Sequence, residues 1–279
     1  MKKWNLIVDV AKCTNCNCCT LANQDEHVDN EFEGYSAPMP RHNNVWIEIR
    51  GRERGDGPLM DVPFVPVMCQ HCDDAPCIEA AANNAVTKRE DGIVIIDPVK
   101  AKGQRAIAEA CPYGAVKWNE DLQLPQHWFF DAHLLDNGWT EPRCAQVCAT
   151  GALKSVKVTD EEMSALKNSE ELEELMPEAD TRPRLHYKNL RRFTRDFIGG
   201  TVINSVNGIT DCVSGAAVKL EQDGSVVGEA VTDAYGEFKI DGLAHGSYQV
   251  SIEAEGASAR QIDVDLSDSV YLGRIDLAA

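Results

Sequence analysis

The stretch that decides the fold of this chain is CQHCDDAPC (Cys69–Cys77), in which three cysteines share one short loop. A similar loop, CTNCNCC (Cys13–Cys19), precedes it, and single cysteines follow at Cys111 and Cys148. Soft thiolate sulfur matches iron, and this tight spacing lets one loop bind three corners of a cubic cluster. The pattern therefore predicts iron–sulfur clusters.

Two-cluster ferredoxins repeat C-x2-C-x2-C-x3-C, and the fourth cysteine of each run completes the cluster of the other run. Four such runs can be read here, beginning at Cys13, Cys69, Ala101 and Trp128. Pairing the first with the fourth and the second with the third completes two 4Fe-4S clusters. The predicted ligands are Cys13, Cys16, Cys19 and Cys148 for cluster 1, and Cys69, Cys72, Cys77 and Cys111 for cluster 2.

The two further clusters that four runs would hold have lost their ligands. The positions of a third cluster are occupied by Ala81, Ala101, Gln104 and Ile107. Those of a fourth are occupied by Asn23, Trp128, Asp131 and one remaining cysteine, Cys144. The losses fall by whole cluster, which favours both the pairing and a total of two clusters. Trp128 and its aromatic neighbours are expected either to fill the vacated volume or to be ordinary core residues.

Three cysteines are surplus to this scheme. We interpret Cys144 as a relic of the lost cluster, Cys18 as an alternative ligand to a neighbour, and Cys212 as part of the C-terminal domain. Zinc bound by the C-x2-C pairs and structural disulfides are the competing interpretations. His71 is expected to pack or form hydrogen bonds beside cluster 2, because four cysteines already complete that site.

Composition narrows the class of protein. The 279 residues carry a formal net charge of −18, which argues against nucleic acid or an anionic membrane as a partner. The sequence contains no run of about 18 or more apolar residues, so no membrane-spanning helix is predicted. The N-terminal MKKWNLIVDV reads as a strand and not as a signal peptide, so we expect a cytoplasmic protein unless a partner carries an export signal.

The expected fold class is α+β, with a ferredoxin-like 4Fe-4S domain over residues 1–157 and an all-β sandwich over 198–279. Between them, residues 158–197 are expected to form a helix and an extended linker. Thr159 and Glu162 make a capping box at the start of that helix, and Pro177 is expected to end it. The basic stretch TRPRLHYKNLRRF (residues 181–193) is expected either to face a partner or to be a solvated linker.

The last third of the chain predicts seven short antiparallel strands. Turns are expected at Asp223-Gly224, Tyr235-Gly236 and Asp241-Gly242, where glycine follows a polar or aromatic residue between apolar segments. The stretch TDAYGEFKIDGLAHGSYQVSIEAEG (residues 232–256) resembles transthyretin-like, Cna-B and carboxypeptidase regulatory-like modules. Such modules imply a sandwich fold and little about function.

The cysteine loop with DGIVIIDP (residues 91–98) and ACPYGAVKW (residues 110–118) resembles the beta subunits of the molybdopterin (dimethyl-sulfoxide-reductase) enzyme family. More closely, VDVAKC, DEH, GRERG, AHLLD and YKNL resemble the small subunits of transhydroxylases acting on polyhydroxylated aromatics. Those subunits carry three clusters, so the chain departs from them at Asn23, Trp128 and Asp131.

The resemblance implies a large catalytic partner subunit that holds a molybdenum or tungsten bis-pterin cofactor and the substrate, in a heterodimer or a higher assembly. It also implies that cluster 1 lies nearest to that partner. No catalytic residue is assigned to this chain. The alternatives are an electron relay for another reductase or dehydroxylase of the same family, and a structural scaffold whose clusters stabilise the fold.

Overall fold

The computed structural model describes residues 1–278 and divides the chain into two compact units. The first unit comprises Met1–Gly51 and Phe64–Leu190, and the second comprises Arg52–Pro63 and the chain from Arg191 onward. In the described residues, no helix has the length and apolarity needed to cross a membrane.

The first unit is built around a three-stranded sheet in which the N-terminal strand is central. Its strands are β1 Lys3–Asp9, β2 Glu48–Gly51, β3 Phe64–Val67, β4 Val86–Lys88, β5 Val94–Ile96, β6 Lys117–Asn119, β7 Leu124–Gln126, β8 Leu153–Val158 and β9 Leu185–Lys188. β1 is antiparallel to β8 and parallel to β9, and the other strands pair as the hairpins β2–β3, β4–β5 and β6–β7. β1 is paired along both edges, and its apolar run Leu6–Val8 is buried, as expected for a central strand whose two faces are both covered.

Most helices of this unit are a single turn long. They are α1 Cys18–His27, α2 Pro76–Glu79, α3 Ala106–Glu109, α4 Ala132–Asp136, α5 Arg143–Gln146 and α6 Asp160–Ser169, with a 3-10 turn at Pro177–Ala179. Proline is the first residue of α2, where its missing N–H costs no helical hydrogen bond. α2, α3 and α5 each contain or adjoin a predicted cluster ligand, so these short helices serve to position thiols.

The predicted capping box at the start of α6 is confirmed, but the predicted end of this helix is wrong. Thr159 Oγ1 accepts from the Glu162 N–H at 3.2 Å, and Glu162 Oε2 accepts from the Thr159 N–H at 2.8 Å. The helix ends at Ser169 and not before Pro177, because Glu171 adopts a left-handed φ of 51°. Beyond it, Glu173 exchanges both backbone hydrogen bonds with Tyr187 at 2.7 and 2.8 Å. Tertiary pairing therefore overrides the helical pattern.

The basic stretch after α6 does not form a free linker. Its centre is β9, whose Leu185, His186 and Tyr187 are buried in the central sheet. Arg184 is also buried, and its guanidinium donates to Asp73 Oδ1 at 2.9 Å and to Asp160 Oδ1 at 2.6 Å. The expectation of a partner-facing or solvated segment is therefore wrong for residues 184–187, where internal ion pairs neutralise the positive charge.

The second unit is a sandwich of two four-stranded sheets. Its elements are α7 Arg191–Thr194, β10 Asp196–Val206, β11 Ile209–Cys212, β12 Ala217–Gln222, β13 Ser225–Val231, β14 Glu237–Leu243, β15 Gly246–Glu253, β16 Arg260–Leu266 and β17 Val270–Asp276, with a 3-10 turn at Gly57–Leu59. One sheet has the order β11–β10–β14 with β17 also paired to β10, and the other has the order β13–β12–β15–β16. Tyr248, Val250 and Ile252 alternate along β15 and are buried in the core between the sheets.

Among the described residues the second unit has eight strands, where seven were predicted. The additional strand is β11, which pairs with β10 across a tight turn at Asn207 and Gly208, both with positive φ. An Asn-Gly pair is a strong hairpin signal that the sequence prediction passed over. Asp241-Gly242, predicted as a turn, lies inside β14, where the pairing with β10 skips Gly242 (φ 84°). That glycine therefore forms a bulge.

Residues Arg52–Pro63, which we call the arm, are the largest departure from the expected boundaries. Strand β2 ends at Gly51, and the chain then enters the second unit before it returns at Phe64. The side chain of Arg54 is 0% exposed and pairs with Asp241 Oδ1 at 2.9 Å and with Asp61. A buried arginine needs such carboxylates, which explains why the arm belongs to this unit.

Candidate metal centre

The first group of thiols is assembled from the loop before α1 and the residue that follows α5. Cys13 and Cys16 lie in the loop, Cys19 lies in the first turn of α1, and α1 packs against α5, after which Cys148 follows. Asn15 and Asn17 adopt positive φ of 56° and 58°, which curls the loop between the cysteines. Asparagine tolerates this conformation better than most residues.

Burial, hydrogen bonds and the charges of neighbouring thiols shift the pKa values in this group. Burial raises the pKa of Cys19 to about 11, and the charges of Cys13 and Cys148 add to the shift. Burial also raises the pKa of Cys13, with Cys148 and Cys16 contributing. The pKa of Cys16 is lowered, first by the backbone N–H of Cys18. The structure thus brings together all four cysteines predicted for cluster 1.

The second group is more deeply buried than the first. Cys69, Cys72 and Cys77 are 7–8% exposed, and Cys111 follows α3. Burial raises the pKa of Cys77 to about 12, with Cys111 and Cys72 adding to it. Burial raises the pKa of Cys72 to about 11, and Cys111 raises it further. Burial raises the pKa of Cys69 well above its usual value, and the charges of Cys77, Cys72 and Cys111 add to it, so the four cysteines predicted for cluster 2 also lie together.

Both groups fit the chemistry of a cluster. All eleven cysteines are free thiols, so none of the eight is used in a disulfide. Burial raises the pKa of five of them, so these thiols stay protonated without a cation and binding iron must displace their protons; they are Cys13, Cys19, Cys69, Cys72 and Cys77. The Leu153 N–H already points to Cys148 Sγ at 3.4 Å, the kind of N–H···S contact that accompanies cluster ligands.

The positions of the lost third cluster are filled by an aliphatic core. Ala101 and Ile107 are 0% exposed, and Ala81 packs against the same hydrophobic cluster. Gln104 binds backbone: its Oε1 accepts from the Ala82 N–H at 2.8 Å and its Nε2 donates to the Lys100 carbonyl at 2.7 Å. None of these four positions therefore offers a ligand for iron.

The positions of the lost fourth cluster are filled differently, by aromatic rings and a buried acid. Trp128 is 0% exposed, and Asn23 and Asp131 are 3% and 2% exposed. Asp131 Oδ2 accepts from the Arg143 N–H at 2.8 Å, and its Oδ1 lies 3.2 Å from His27 Nε2. The carboxylate therefore ties α1 to the start of α5 where a cluster would otherwise do so.

His71 adopts a positive φ of 47° within the cysteine loop and is 1% exposed. Its Nδ1 accepts from the Val94 N–H at 3.0 Å, which leaves the ring proton on Nε2. Burial lowers the pKa of His71 well below its usual value, so the ring is neutral. Among the described residues, Cys69, His71 and His127 form a buried trio with ligand atoms within 4.8 Å of one another. Cys69 also serves the proposed cluster, so the trio and the cluster compete for one sulfur.

The surplus cysteines have three different environments. Cys18 lies beside Cys16 and Cys148, and hydrogen bonding to Cys16 raises the pKa of its thiol. Cys144 is 1% exposed, and burial raises its pKa well above the usual value, with Asp131 and Cys19 contributing. Cys212 is exposed at the end of β11.

Sequence reasoning passed over one set of polar residues beside the first thiol group. His27 is 0% exposed, and Glu26 Oε1 lies 2.9 Å from His133 Nε2 while Arg143 donates to Glu26 and Asp25. The available signal was the DEH stretch of α1, which had served only as part of a family resemblance. These residues hold α1, α4 and α5 together around the first thiol group.

Comparisons with known proteins agree with this division of the chain. A family model described as a 4Fe-4S dicluster domain matches residues 60–158, and one described as a carboxypeptidase regulatory-like domain matches residues 198–277. The α+β class, with an iron–sulfur domain before a β-sandwich, is confirmed.

Curated relatives match more of the chain. The pyrogallol hydroxytransferase small subunit of Pelobacter acidigallici is 43% identical over 99% of this chain and 100% of its own length. A putative dimethyl sulfoxide reductase iron–sulfur subunit of Halobacterium salinarum is 28% identical over 68% of this chain and 80% of its own. A tetrathionate reductase subunit of Salmonella typhimurium is 26% identical over 67% of this chain and 73% of its own.

Proposed function

The chain belongs to the family of the pyrogallol hydroxytransferase small subunit, and on that premise we propose that it is the iron–sulfur electron-transfer subunit of a molybdopterin enzyme. One observation carries the proposal: two groups of four thiols, each gathered from distant parts of the sequence, lie within one compact unit. Four convergent sulfurs are the number that a cubic cluster requires.

We assign Cys13, Cys16, Cys19 and Cys148 to cluster 1, and Cys69, Cys72, Cys77 and Cys111 to cluster 2. Each cluster, when bound, supplies one-electron redox chemistry. The protein's own part is to hold the ligands, to exclude water from the second group and to direct N–H groups at sulfur. Hydrogen bonding and burial of this kind set cluster potential.

The proposed partner is a large subunit that carries a molybdenum or tungsten bis-pterin cofactor, in a heterodimer or a higher assembly. The relative's name supports a polyhydroxylated aromatic substrate for the complex. The proposed compartment is the cytoplasm, where eleven free thiols stay reduced and able to bind iron.

Electron paramagnetic resonance of the purified complex, frozen during turnover, tests the electron-transfer role. We expect a reduced-cluster signal in samples frozen with substrate or after reduction with dithionite. If dithionite never produces that signal in a sample that contains iron, the clusters do not carry electrons and the scaffold alternative replaces the relay.

A turnover assay of the same complex, with and without an external electron donor, separates a transhydroxylase from a reductase or dehydroxylase of the family. Transfer of a hydroxyl group between aromatic molecules consumes no net electrons, so turnover needs no external donor. If turnover requires a continuous supply of reductant, the complex is a reductase or dehydroxylase, as the names of the more distant relatives suggest for those proteins.

A further inference from the structure

The vacated fourth-cluster position lies between the two groups of thiols. Its remaining cysteine, Cys144, belongs to α5, which packs on α1 beside the first group. At its other side, the ring of Trp128 contacts the ring of His71, in the loop of the second group, with centroids 5.6 Å apart. One short segment, Trp128–Asp131, therefore borders both groups.

Three consecutive buried aromatic residues, Trp128–Phe130, line this position. Trp128, Phe129 and Phe130 are all 0% exposed, and the Trp128 and Phe130 centroids are 4.8 Å apart. Phe129 contacts His27 of α1 at 5.0 Å, while Phe130 contacts His71 at 5.5 Å. We call residues Trp128–Phe130 the aromatic layer.

The aromatic layer offers no redox site that could hold an electron between the two clusters. Indole and phenyl rings lose electrons only at potentials far above the upper limit of about +450 mV for iron–sulfur clusters. In the described part of the chain, the one trio of close metal-ligating atoms is Cys69, His71 and His127, which belongs to the second group and not to the vacated position. Direct tunnelling across the layer is the remaining route, and its rate falls exponentially with thickness.

The two groups also differ in access from outside. In the first group Cys16 is exposed, Cys13 and Cys148 are partly exposed and Cys19 is buried. In the second group Cys69, Cys72 and Cys77 are buried and Cys111 is partly exposed. An external or partner-borne electron therefore reaches the first group more readily than the second.

We propose that the aromatic layer insulates cluster 2 from cluster 1, so that cluster 1 alone exchanges electrons rapidly with the surroundings. This inference rests on the two-cluster function proposed above. Under this proposal, cluster 1 exchanges electrons with the surroundings and cluster 2 is held apart from it. In a complex whose net reaction consumes no electrons, such insulation keeps a reducing equivalent close to the catalytic metal.

The test is flash reduction of the full chain, loaded with iron and sulfide, followed by freeze-quenching and electron paramagnetic resonance. A small photoreductant transfers one electron to a [4Fe-4S]2+ cluster and leaves it as [4Fe-4S]1+. We expect cluster 1 to be reduced first, and the rate of cluster 2 reduction to double when the photoreductant concentration doubles. A flash oxidant applied to the fully reduced chain repeats the test in reverse. Electron transfer between the clusters is then favourable in one of the two experiments, whichever cluster has the higher reduction potential.

The opposite result is a cluster 2 signal that grows at the expense of cluster 1 at a rate independent of photoreductant concentration. That first-order exchange, in either direction, overturns the inference. Iron analysis of the same sample separates the two claims: about 4 Fe per chain overturns the two-cluster function and this inference with it, whereas about 8 Fe with first-order exchange overturns only the insulation.

A rebuilt variant tests the location of the barrier. Asn23→Cys, Trp128→Cys and Asp131→Cys together with Cys144 restore four ligands, and we expect about 12 Fe and the appearance of first-order exchange. Cys144→Ala is the matched control, expected to behave as the parent chain. A variant that binds about 12 Fe without first-order exchange shows that the position is not between the clusters; if the variant does not fold, the parent chain alone decides.

Discussion

Cys111 and Cys148 are the two residues that join distant parts of the chain in the two groups of thiols. Each follows a four-residue helix, and each sulfur lies among thiols from a loop much earlier in the sequence. The exchange rule predicted both partners, because it depends only on the spacing of cysteines. The buried pair of His27 and Asp131 was not predictable in this way, since nothing local marks two residues that meet across the fold.

Single substitutions at these residues test the partition of the ligands. We expect Cys148→Ala to remove cluster 1 and Cys111→Ala to remove cluster 2, each lowering iron from about 8 to about 4 per chain. Iron and sulfide analysis with Mössbauer spectroscopy measures the loss. Cys144→Ala is the control and should keep about 8 Fe; a parent-like iron content in Cys148→Ala would show that another thiol, such as Cys18, closes cluster 1.

At the scale of elements, local signals predicted the start of α6 and part of the sandwich turns, whereas long-range pairing decided the end of α6 and the course of the arm. The α6 capping box and the Asp223-Gly224 turn were readable because each depends on a few adjacent residues. The end of α6 and the arm were not, because backbone pairing with Tyr187 and the ion pairs of Arg54 come from distant segments.

The arm provides a test of those ion pairs. Asp61 pairs with Arg54, Arg192 and Lys239, so Asp61→Asn leaves a fully buried guanidinium with fewer compensating charges. We expect the second unit to lose about 3 kcal/mol of unfolding free energy. Urea unfolding followed by hydrogen exchange in β10–β17 measures it. Glu229→Gln, on the exposed face of β13, should leave stability unchanged, and an equal midpoint for both variants would contradict the role of the arm.

Acidic pH should weaken the same unit. Burial alone would raise the pKa of Asp61, but hydrogen bonding from Arg54 and the charges of Lys239 and Arg192 hold it below its ordinary value of 3.8. The pKa of Asp196 is likewise lowered, by Ser269 and Arg52 against the effect of burial. A carboxylate with a lowered pKa stabilises the fold fully above the unfolded pKa and progressively less as pH falls through the folded one.

We therefore expect the stability of the second unit to be level near neutral pH and to fall below about pH 4. Hydrogen exchange of β10 and β14 across a pH series measures this, with Asp61→Asn showing a shallower fall than the parent chain. A parent profile that stays level below that pH would show that these ion pairs contribute nothing to stability.

At the scale of the whole molecule, the two-domain organisation followed from the cysteine distribution and the strand pattern. Ten of the eleven cysteines precede residue 150, and a run of short strands fills the last third. The discontinuous boundary did not follow, because the return of the arm at Phe64 is a property of tertiary packing and leaves no change in composition.

The two units should respond differently to loss of iron. The first unit relies on one-turn helices and two-stranded hairpins that are marginal alone, whereas the second has its own core between two sheets. We expect a chelator to abolish hydrogen-exchange protection around residues 13–23, 69–81 and 144–148 while β12 and β15 stay protected. Simultaneous loss in β12 and β15 would show that the sandwich depends on the clusters for its stability.

The measurement that tests the central claim most directly is the metal content of the full chain purified without oxygen. Two complete cubic clusters predict about 8 Fe and about 8 acid-labile sulfides per chain, with no stoichiometric zinc. About 4 or about 12 Fe, or zinc in place of iron, would contradict the assignment of these eight cysteines to two clusters.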